Sequence, residues 1–173
     1  MPAQYGFSFD ENRCVQCRTC EIACKSTHNI EPGINWRRVT DTWEGEFPNV
    51  KRTFFSQACM HCEEPVCAEV CPTGAIHKRP EDGIVVVDRD ACSGCRNCAQ
   101  VCPYGAPQFG VDGIMQKCDY CTGLGKAPEC AESCPAEALD YGTLDELMQR
   151  AKDKGKSASK MEGTTGPSII IIR

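Results

Sequence analysis

Sixteen cysteines in four groups of four constrain this 173-residue chain more than any other feature of its sequence. In each group two residues separate the first two cysteines and three residues precede the last one. Motifs one to four are Cys14, Cys17, Cys20 and Cys24; Cys59, Cys62, Cys67 and Cys71; Cys92, Cys95, Cys98 and Cys102; and Cys118, Cys121, Cys130 and Cys134. No cysteine is left over, and Pro follows the last cysteine of motifs two, three and four.

This spacing predicts ligands for cubic iron–sulfur clusters. Two residues between cysteines allow a tight loop to direct three thiolates, together with backbone N–H groups, toward one cube. Three further residues place the fourth cysteine one helical turn away, facing a neighbouring cube. In bacterial ferredoxins this cysteine ligates the other cluster of a pair, so the motifs work two at a time. Four motifs therefore predict two pairs of clusters, four in all.

Structural zinc and disulfides are the alternatives for a cysteine-rich chain. Zinc sites use two separated cysteine pairs and have no use for a third cysteine at the same short interval. Residues 1–14 lack the positive start, apolar run and cleavage site of a signal peptide, which favours a reducing compartment over a disulfide scaffold. Only 7% of the residues are aromatic, so metal cross-links are expected to replace part of the hydrophobic core.

Charge and hydropathy exclude two classes of partner. The formal net charge of −5 argues against nucleic-acid binding, which usually requires a basic surface. The longest apolar run is Ile169–Ile172, far short of the roughly 20 residues of a spanning helix. The sequence therefore predicts no nucleic-acid partner and no direct membrane span.

An internal repeat indicates the fold. Residues 5–24 align without gaps on residues 83–102, with all four cysteines and a preceding Asp in common. Each copy predicts a short strand, a cysteine loop and a short helix, and return strands are expected to begin near Gly74 and Glu137. The fold class predicted is α+β, with two paired bacterial-ferredoxin-like modules of short β-hairpins and short helices around four clusters.

The remaining segments predict covering structure. An insertion over residues 25–50 holds Trp36 and Trp43, which are interpreted as cover for the clusters rather than as a docking surface. Lys51–Ser56 suits a strand. Thr143 predicts the N-cap of a helix, and Glu146 completes a capping box with it. Residues 155–166 predict a polar linker after this helix. Residues 168–172 predict a buried strand, because an exposed isoleucine edge would invite aggregation.

Polar residues near the motifs receive weaker interpretations. His61, inside motif two, either hydrogen-bonds near a cluster and tunes its potential or is a solvated loop residue. His28 and His77 have no partner visible in the sequence and are assigned no role. Cations beside the cluster loops are interpreted as solvated surface residues; they are Arg18, Arg96 and Lys117.

From Tyr5 to about Lys154 the chain resembles the iron–sulfur subunit of molybdopterin oxidoreductases of the dimethyl sulfoxide reductase type. The resemblance is carried by YGFSFDENRCVQCRTCEIACK, CMHCEEPVCAEVCPTGAIHKR, CSGCRNCAQVCPYGAPQF, and KCDYC followed by ESCPAEALDYGTLDEL. Some relatives have tryptophan at one motif-three position and hold a [3Fe–4S] cluster there. Because Cys95 occupies that position here, the resemblance implies four [4Fe–4S] clusters.

The resemblance also implies which motifs share clusters, namely one with four and two with three. The ligand sets that follow are Cys14, Cys17, Cys20 and Cys134; Cys118, Cys121, Cys130 and Cys24; Cys59, Cys62, Cys67 and Cys102; and Cys92, Cys95, Cys98 and Cys71. The expected organisation is a module of residues 1–24 plus 103–154, a second module of residues 51–102, the insertion at 25–50, and a linker with C-terminal strand at 155–173.

The function implied is a non-catalytic relay of single electrons between a quinone-linked or soluble carrier and a molybdopterin (Mo/W) catalytic subunit. A separate membrane anchor subunit is a further partner of this kind of complex. The expected location is cytoplasmic or peripheral on the membrane, with export alongside a twin-arginine partner as a variant. A freestanding polyferredoxin, or a relay subunit of a hydrogenase or other redox complex, is the alternative function.

Overall fold

Short elements surround the cysteine motifs throughout the chain, of which the computed structural model describes residues 3–173. The strands are β1 (Tyr5–Asp10), β2 (Arg38–Glu44), β3 (Lys51–Gln57), β4 (Ile76–Lys78), β5 (Val85–Val87), β6 (Gln108–Phe109), β7 (Met115–Gln116), β8 (Leu139–Thr143), β9 (Ala158–Lys160) and β10 (Ile169–Ile172). The helices are α1 (Thr19–Thr27), α2 (Val66–Glu69), α3 (Asn97–Val101), α4 (Glu129–Glu132) and α5 (Leu144–Asp153), with a 3₁₀ turn at Thr122–Leu124. This is the α+β architecture that the sequence predicts.

The main sheet joins the two ends of the described chain in the order β8–β1–β10–β9. Strand β1 is antiparallel to β8 and parallel to β10. Ile169, Ile170 and Ile171 are all buried, which confirms the predicted burial of the isoleucine run. The structure differs from the expected polar linker at β9, which pairs with β10 and places Ser159 opposite Ile171. A polar strand on this edge protects the isoleucines from pairing with another chain.

Two-stranded hairpins form the rest of the β structure. The return strands begin as predicted, since β4 pairs with β5 and β8 pairs with β1. The predicted strand at Lys51–Ser56 is β3, whose partner across the hairpin is β2. The β6–β7 hairpin brings Phe109 and Met115 against Cys98, Ile76 and Val85. We propose on this basis that residues 108–116 belong structurally with motifs two and three.

Helix α5 begins with the capping box that the sequence predicts. The Glu146 backbone N–H donates to Thr143 Oγ1 over 3.2 Å, and the Thr143 N–H donates to Glu146 Oε2 over 3.1 Å. Leu147 and Ala151 are buried, so one face of the helix packs on the main sheet.

Replacing Thr143 by alanine is expected to lower stability by about 1 kcal/mol, because the Glu146 N–H group in the first turn loses its acceptor, Thr143 Oγ1. For a chain of this size the corresponding fall in melting temperature is about 2–4 °C, measurable by anaerobic calorimetry of the holoprotein. Ser157→Ala, a change at an exposed serine outside the helix, is the matched control. Equal melting temperatures for the two variants would contradict a stabilising role for the cap.

The two tryptophans have different environments. Trp36 packs against the core, and its Nε1 donates to Gln116 Oε1 over 3.0 Å. Trp43 is 62% exposed, with the Arg52 guanidinium 4.8 Å from its ring centroid. The covering role predicted for both therefore holds for Trp36 and is wrong for Trp43. Among residues 3–173, no helix has the length and apolar character needed to cross a bilayer.

Candidate iron–sulfur sites

All four cysteine loops contain a residue in the left-handed backbone conformation just before the second cysteine. These residues are Gln16 (φ 57°), His61 (φ 43°), Gly94 (φ 68°) and Tyr120 (φ 62°). Residues other than glycine seldom adopt this conformation, so its recurrence in all four loops indicates a shared requirement. A left-handed residue within a turn directs successive N–H groups to one concave side, where they attract an anion. The loops are therefore shaped to face negatively charged sulfur.

A second left-handed turn follows motifs two, three and four, at the third residue after the last cysteine. These residues are Gly74 (φ 67°), Gly105 (φ 57°) and Glu137 (φ 48°). The next N–H group then faces back to the cysteine, as Ala106 does to Cys102 Sγ (3.5 Å) and Ala138 to Cys134 Sγ (3.3 Å). In motifs three and four, the exit turn thus supplies a donor to the last sulfur of its motif.

Helix packing brings the motifs together in pairs. Helix α1 of motif one packs against α4 of motif four, and α2 of motif two packs against α3 of motif three. Three cavities are each lined by a cysteine quartet drawn from both members of a pair. The quartets are Cys14, Cys17, Cys20 and Cys134; Cys59, Cys62, Cys67 and Cys102; and Cys71, Cys92, Cys95 and Cys98.

The remaining four cysteines also lie close to one another. Cys24, Cys118 and Cys130 lie in one cluster of buried residues, and charge on Cys130 or Cys121 raises the pKa of Cys24. The structure therefore gathers all sixteen predicted site residues into four groups of four. All sixteen are free cysteines, so no disulfide competes for them.

The distances between the sulfurs of each quartet indicate which metal group the quartets fit. Four sulfurs around one zinc ion lie about 3.8 Å apart, because each Zn–S bond is about 2.3 Å. Within residues 3–173, no three cysteines bring their sulfurs within 4.8 Å of one another; the one compact donor set is His28, Asp119 and Cys121. The quartets are too widely spaced for a zinc ion and fit a larger thiolate-bound group, as an iron–sulfur cluster is.

Comparisons with known proteins identify the family. The family model of the 4Fe–4S dicluster domain matches residues 50–144. The protein is 45% identical to the B subunit of anaerobic dimethyl sulfoxide reductase of Escherichia coli strain K12, over 99% of its own length and 89% of the relative. It is 42% identical to the corresponding B subunit of Haemophilus influenzae (85% and 78% covered) and 37% identical to protein NrfC of Escherichia coli strain K12 (98% and 80%). The protein belongs to the iron–sulfur subunits of the dimethyl sulfoxide reductase type.

Membership of this family establishes the general role of the subunit. Its cofactors are 4Fe–4S clusters, and it transfers electrons as a non-catalytic part of an oxidoreductase of more than one subunit. The ferredoxin-like fold predicted from the internal repeat agrees with the match to the dicluster domain.

Burial controls the protonation of the cysteine thiols in this subunit. It raises the pKa of Cys24 and of Cys67 to about 12, and it raises the pKa of Cys118 well above its ordinary value. Neighbouring thiols add to the effect by repelling a second negative charge. Iron must therefore displace the protons of these thiols when it binds.

His28 is a site residue that the sequence interpretation missed. Its Nε2 lies 3.3 Å from Cys121 Sγ and 3.7 Å from an Asp119 carboxylate oxygen. Its ring packs 4.6 Å from the ring of Trp36. Because 93 residues separate His28 from Cys121, only the position of His28 just after motif one hinted at this contact.

His61 and Lys117 are both buried, which corrects two expectations. His61 Nδ1 accepts from the Val85 N–H over 3.2 Å, and burial together with Lys117 and Arg37 holds the His61 pKa well below its usual range. The solvated alternative for His61 is therefore wrong. Lys117, also expected in solvent, is 2% exposed and donates to the carbonyl oxygens of Val85 and Cys118.

The other two cations near the motifs stay at the surface, as expected. Arg18 is exposed beside Glu21, at 3.7 Å between guanidinium and carboxylate. Arg96 is also exposed and lies 5.0 Å from the centroid of the Phe109 ring.

Proposed function

We propose that this subunit binds four [4Fe–4S] clusters and relays single electrons between a quinone-linked or soluble carrier and a molybdopterin catalytic subunit. The observation that carries the proposal is the gathering of sixteen cysteines into four quartets, each lined by donors from two motifs. A [4Fe–4S] cluster supplies one-electron transfer at a potential that its surroundings set. The chain supplies the ligands, the N–H donors and the burial.

The proposed ligand sets follow the quartets. Motif one shares with motif four and motif two with motif three, with the last cysteine of each motif in the partner's set. The sets are Cys14, Cys17, Cys20 and Cys134; Cys24, Cys118, Cys121 and Cys130; Cys59, Cys62, Cys67 and Cys102; and Cys71, Cys92, Cys95 and Cys98. We name them sites A, B, C and D in that order.

The sites are proposed to form a line from A to D. Sites A and B share the α1–α4 contact, and sites C and D share the α2–α3 contact. Cys118 of site B and Cys59 of site C are buried in the same core cluster, which joins the two pairs through the interior. Cys17 of site A and Cys95 of site D are exposed, so electrons can enter and leave at the two ends.

Purification of the complex from its native host under anaerobic conditions tests this function. We expect a larger co-purifying subunit that contains molybdenum or tungsten, with or without an anchor subunit. Reduced clusters of the complex are expected to be reoxidised by the substrate of that subunit. Dimethyl sulfoxide is the first oxidant to try, since the protein is similar to the B subunit of dimethyl sulfoxide reductase.

Two outcomes would contradict the proposal in different ways. Four clusters per chain with no second metal and no partner would indicate a freestanding polyferredoxin. Co-purification with a redox partner that lacks molybdenum and tungsten, such as a hydrogenase, would support the relay function but show that the proposed catalytic partner is wrong.

A further inference from the structure

Arg37 is a buried cation whose direct hydrogen-bond acceptors are neutral. Its side chain is 2% exposed, and Nη1 donates to the backbone oxygen of Ser56 over 3.1 Å and to Ser56 Oγ over 3.2 Å. Nε and Nη2 are buried and have no hydrogen-bond partner within residues 3–173. The guanidinium also lies 4.4 Å from the centroid of the Phe7 ring. A buried charge with only neutral acceptors is strongly unfavourable, so a negative group must compensate it.

The negative groups around Arg37 are cysteine sulfurs. Burial by itself would lower the pKa of Arg37, but the nearby cysteine sulfurs, which are thiolates once they bind iron, outweigh burial and raise that pKa above its ordinary value. Those thiolates are Cys130, Cys118, Cys20 and Cys24. The first, second and fourth belong to site B and Cys20 belongs to site A, so the charge of the guanidinium acts on both proposed clusters of one pair.

Ser56 connects Arg37 to one of these sulfurs in a fixed direction. Ser56 Oγ lies 3.3 Å from Cys20 Sγ, and Ser56 is itself buried. Because the Arg37 Nη1–H group donates to Ser56 Oγ, the hydroxyl proton is free to point elsewhere. An iron-bound thiolate has no proton and can only accept. The hydroxyl therefore donates to Cys20 Sγ, and the guanidinium polarises that bond.

We propose that Arg37 and Ser56 form a donor chain onto Cys20 that raises the reduction potential of the cluster at site A. The inference rests on the proposed function, since it takes Cys20 as a ligand of that cluster. A donor to a ligand sulfur stabilises the more negative, reduced state of a cluster, and a nearby buried cation acts in the same direction. Arg37 and Ser56 are positioning residues that set the potential at one end of the relay.

Replacing Ser56 by alanine in the full chain, within its native complex, tests the proposal. At a fixed solution potential we expect the ratio of reduced to oxidised cluster at site A to fall about tenfold. For a one-electron couple this corresponds to a reduction potential lower by about 59 mV. The readout is an EPR-monitored redox titration, and the signal that Cys14→Ala alters identifies site A. The other three potentials are expected to stay unchanged. Ser56→Thr keeps the hydroxyl and is expected to restore the potential.

Thr165→Val is the matched control at another site. Thr165 Oγ1 donates to Cys62 Sγ over 3.2 Å, and Thr165 is buried as Ser56 is. This variant is expected to lower the potential of site C and leave site A unchanged. Shifts of all four potentials in both variants would indicate a general structural effect and overturn the proposal.

Iron content separates failure of this inference from failure of the proposed function. A wild-type chain without four clusters contradicts the proposed function before any variant is made. If the Ser56→Ala protein has full iron content and an unchanged reduction potential at site A, the donor chain is contradicted and the proposed function is not. If Ser56→Ala does not assemble site A, Arg37→Lys decides, because it keeps the charge but shortens the donor. A lower potential confined to site A then supports the inference, and an unchanged potential overturns it.

Discussion

Alanine at Cys14 and alanine at Cys134 are expected to disrupt the same cluster, although 120 positions separate the two residues. Both line one cavity, and Cys134 is among the groups that raise the pKa of Cys14. Losing one ligand removes or degrades one cluster, so iron falls from about 16 to between about 12 and 15 atoms per chain. In EPR spectra of the reduced protein, both variants are expected to lack the same signal.

Variants of site B test whether motifs one and four exchange their last cysteines. Cys24→Ala and Cys118→Ala are expected to alter the same EPR signal. This signal is expected to differ from the one lost in Cys14→Ala, although Cys14 and Cys24 belong to the same motif. The control is Ser133→Ala, next to Cys134, since the Ser133 hydroxyl donates to Glu129 instead of a sulfur. If Cys24→Ala and Cys14→Ala removed the same signal, each motif would bind its own cluster and the proposed sharing would be wrong.

Removal of iron is expected to unfold most of the short elements. Helices α2, α3 and α4 have four or five residues each, far below the roughly 12–15 residues that an isolated helix needs for marginal stability. The β4–β5 and β6–β7 hairpins have two strands each and are marginal alone. Seven of the sixteen cysteines are buried, so the ligands themselves occupy the core that these elements surround.

Hydrogen exchange after anaerobic chelation measures this effect element by element. Amide protection in α2, α3 and α4 is expected to fall by about 100-fold or more, because the free energy of local opening approaches zero without the clusters. The sheet β8–β1–β10–β9 with α5 is expected to keep protection longest, since its isoleucines and Leu147 form an apolar core of their own. Unchanged protection in α2–α4 would show that the polypeptide alone holds the fold.

Local patterns were sufficient to predict much of this fold. The strand–loop–helix repeat, the return strands and the capping box at Thr143 each follow from neighbouring residues. Strand β9 could not be predicted in this way, because Ala158–Lys160 is polar and near glycine. It becomes a strand because the open edge of β10 offers hydrogen-bond partners, and that edge lies about ten residues further along the chain.

The sulfurs themselves were easier to predict than the groups that surround them. Cysteine spacing reflects the loop geometry directly, whereas contacts to sulfur come from distant segments. His28 reaches Cys121 across 93 positions, and Ser56 reaches Cys20 across 36. Arg37 looks like a surface residue in sequence, and only the tertiary packing around it makes it a buried cation. Tertiary contacts of this kind leave no periodic signal in the sequence.

Iron and acid-labile sulfide per chain, measured on anaerobically purified protein with zinc in the same sample, test the central claim most directly. Four [4Fe–4S] clusters require about 16 iron and 16 sulfide atoms per chain, with negligible zinc. Spin integration of the fully reduced protein should then give about four spins per chain. About half of these values in intact protein, or zinc without sulfide, would contradict four clusters on sixteen cysteines.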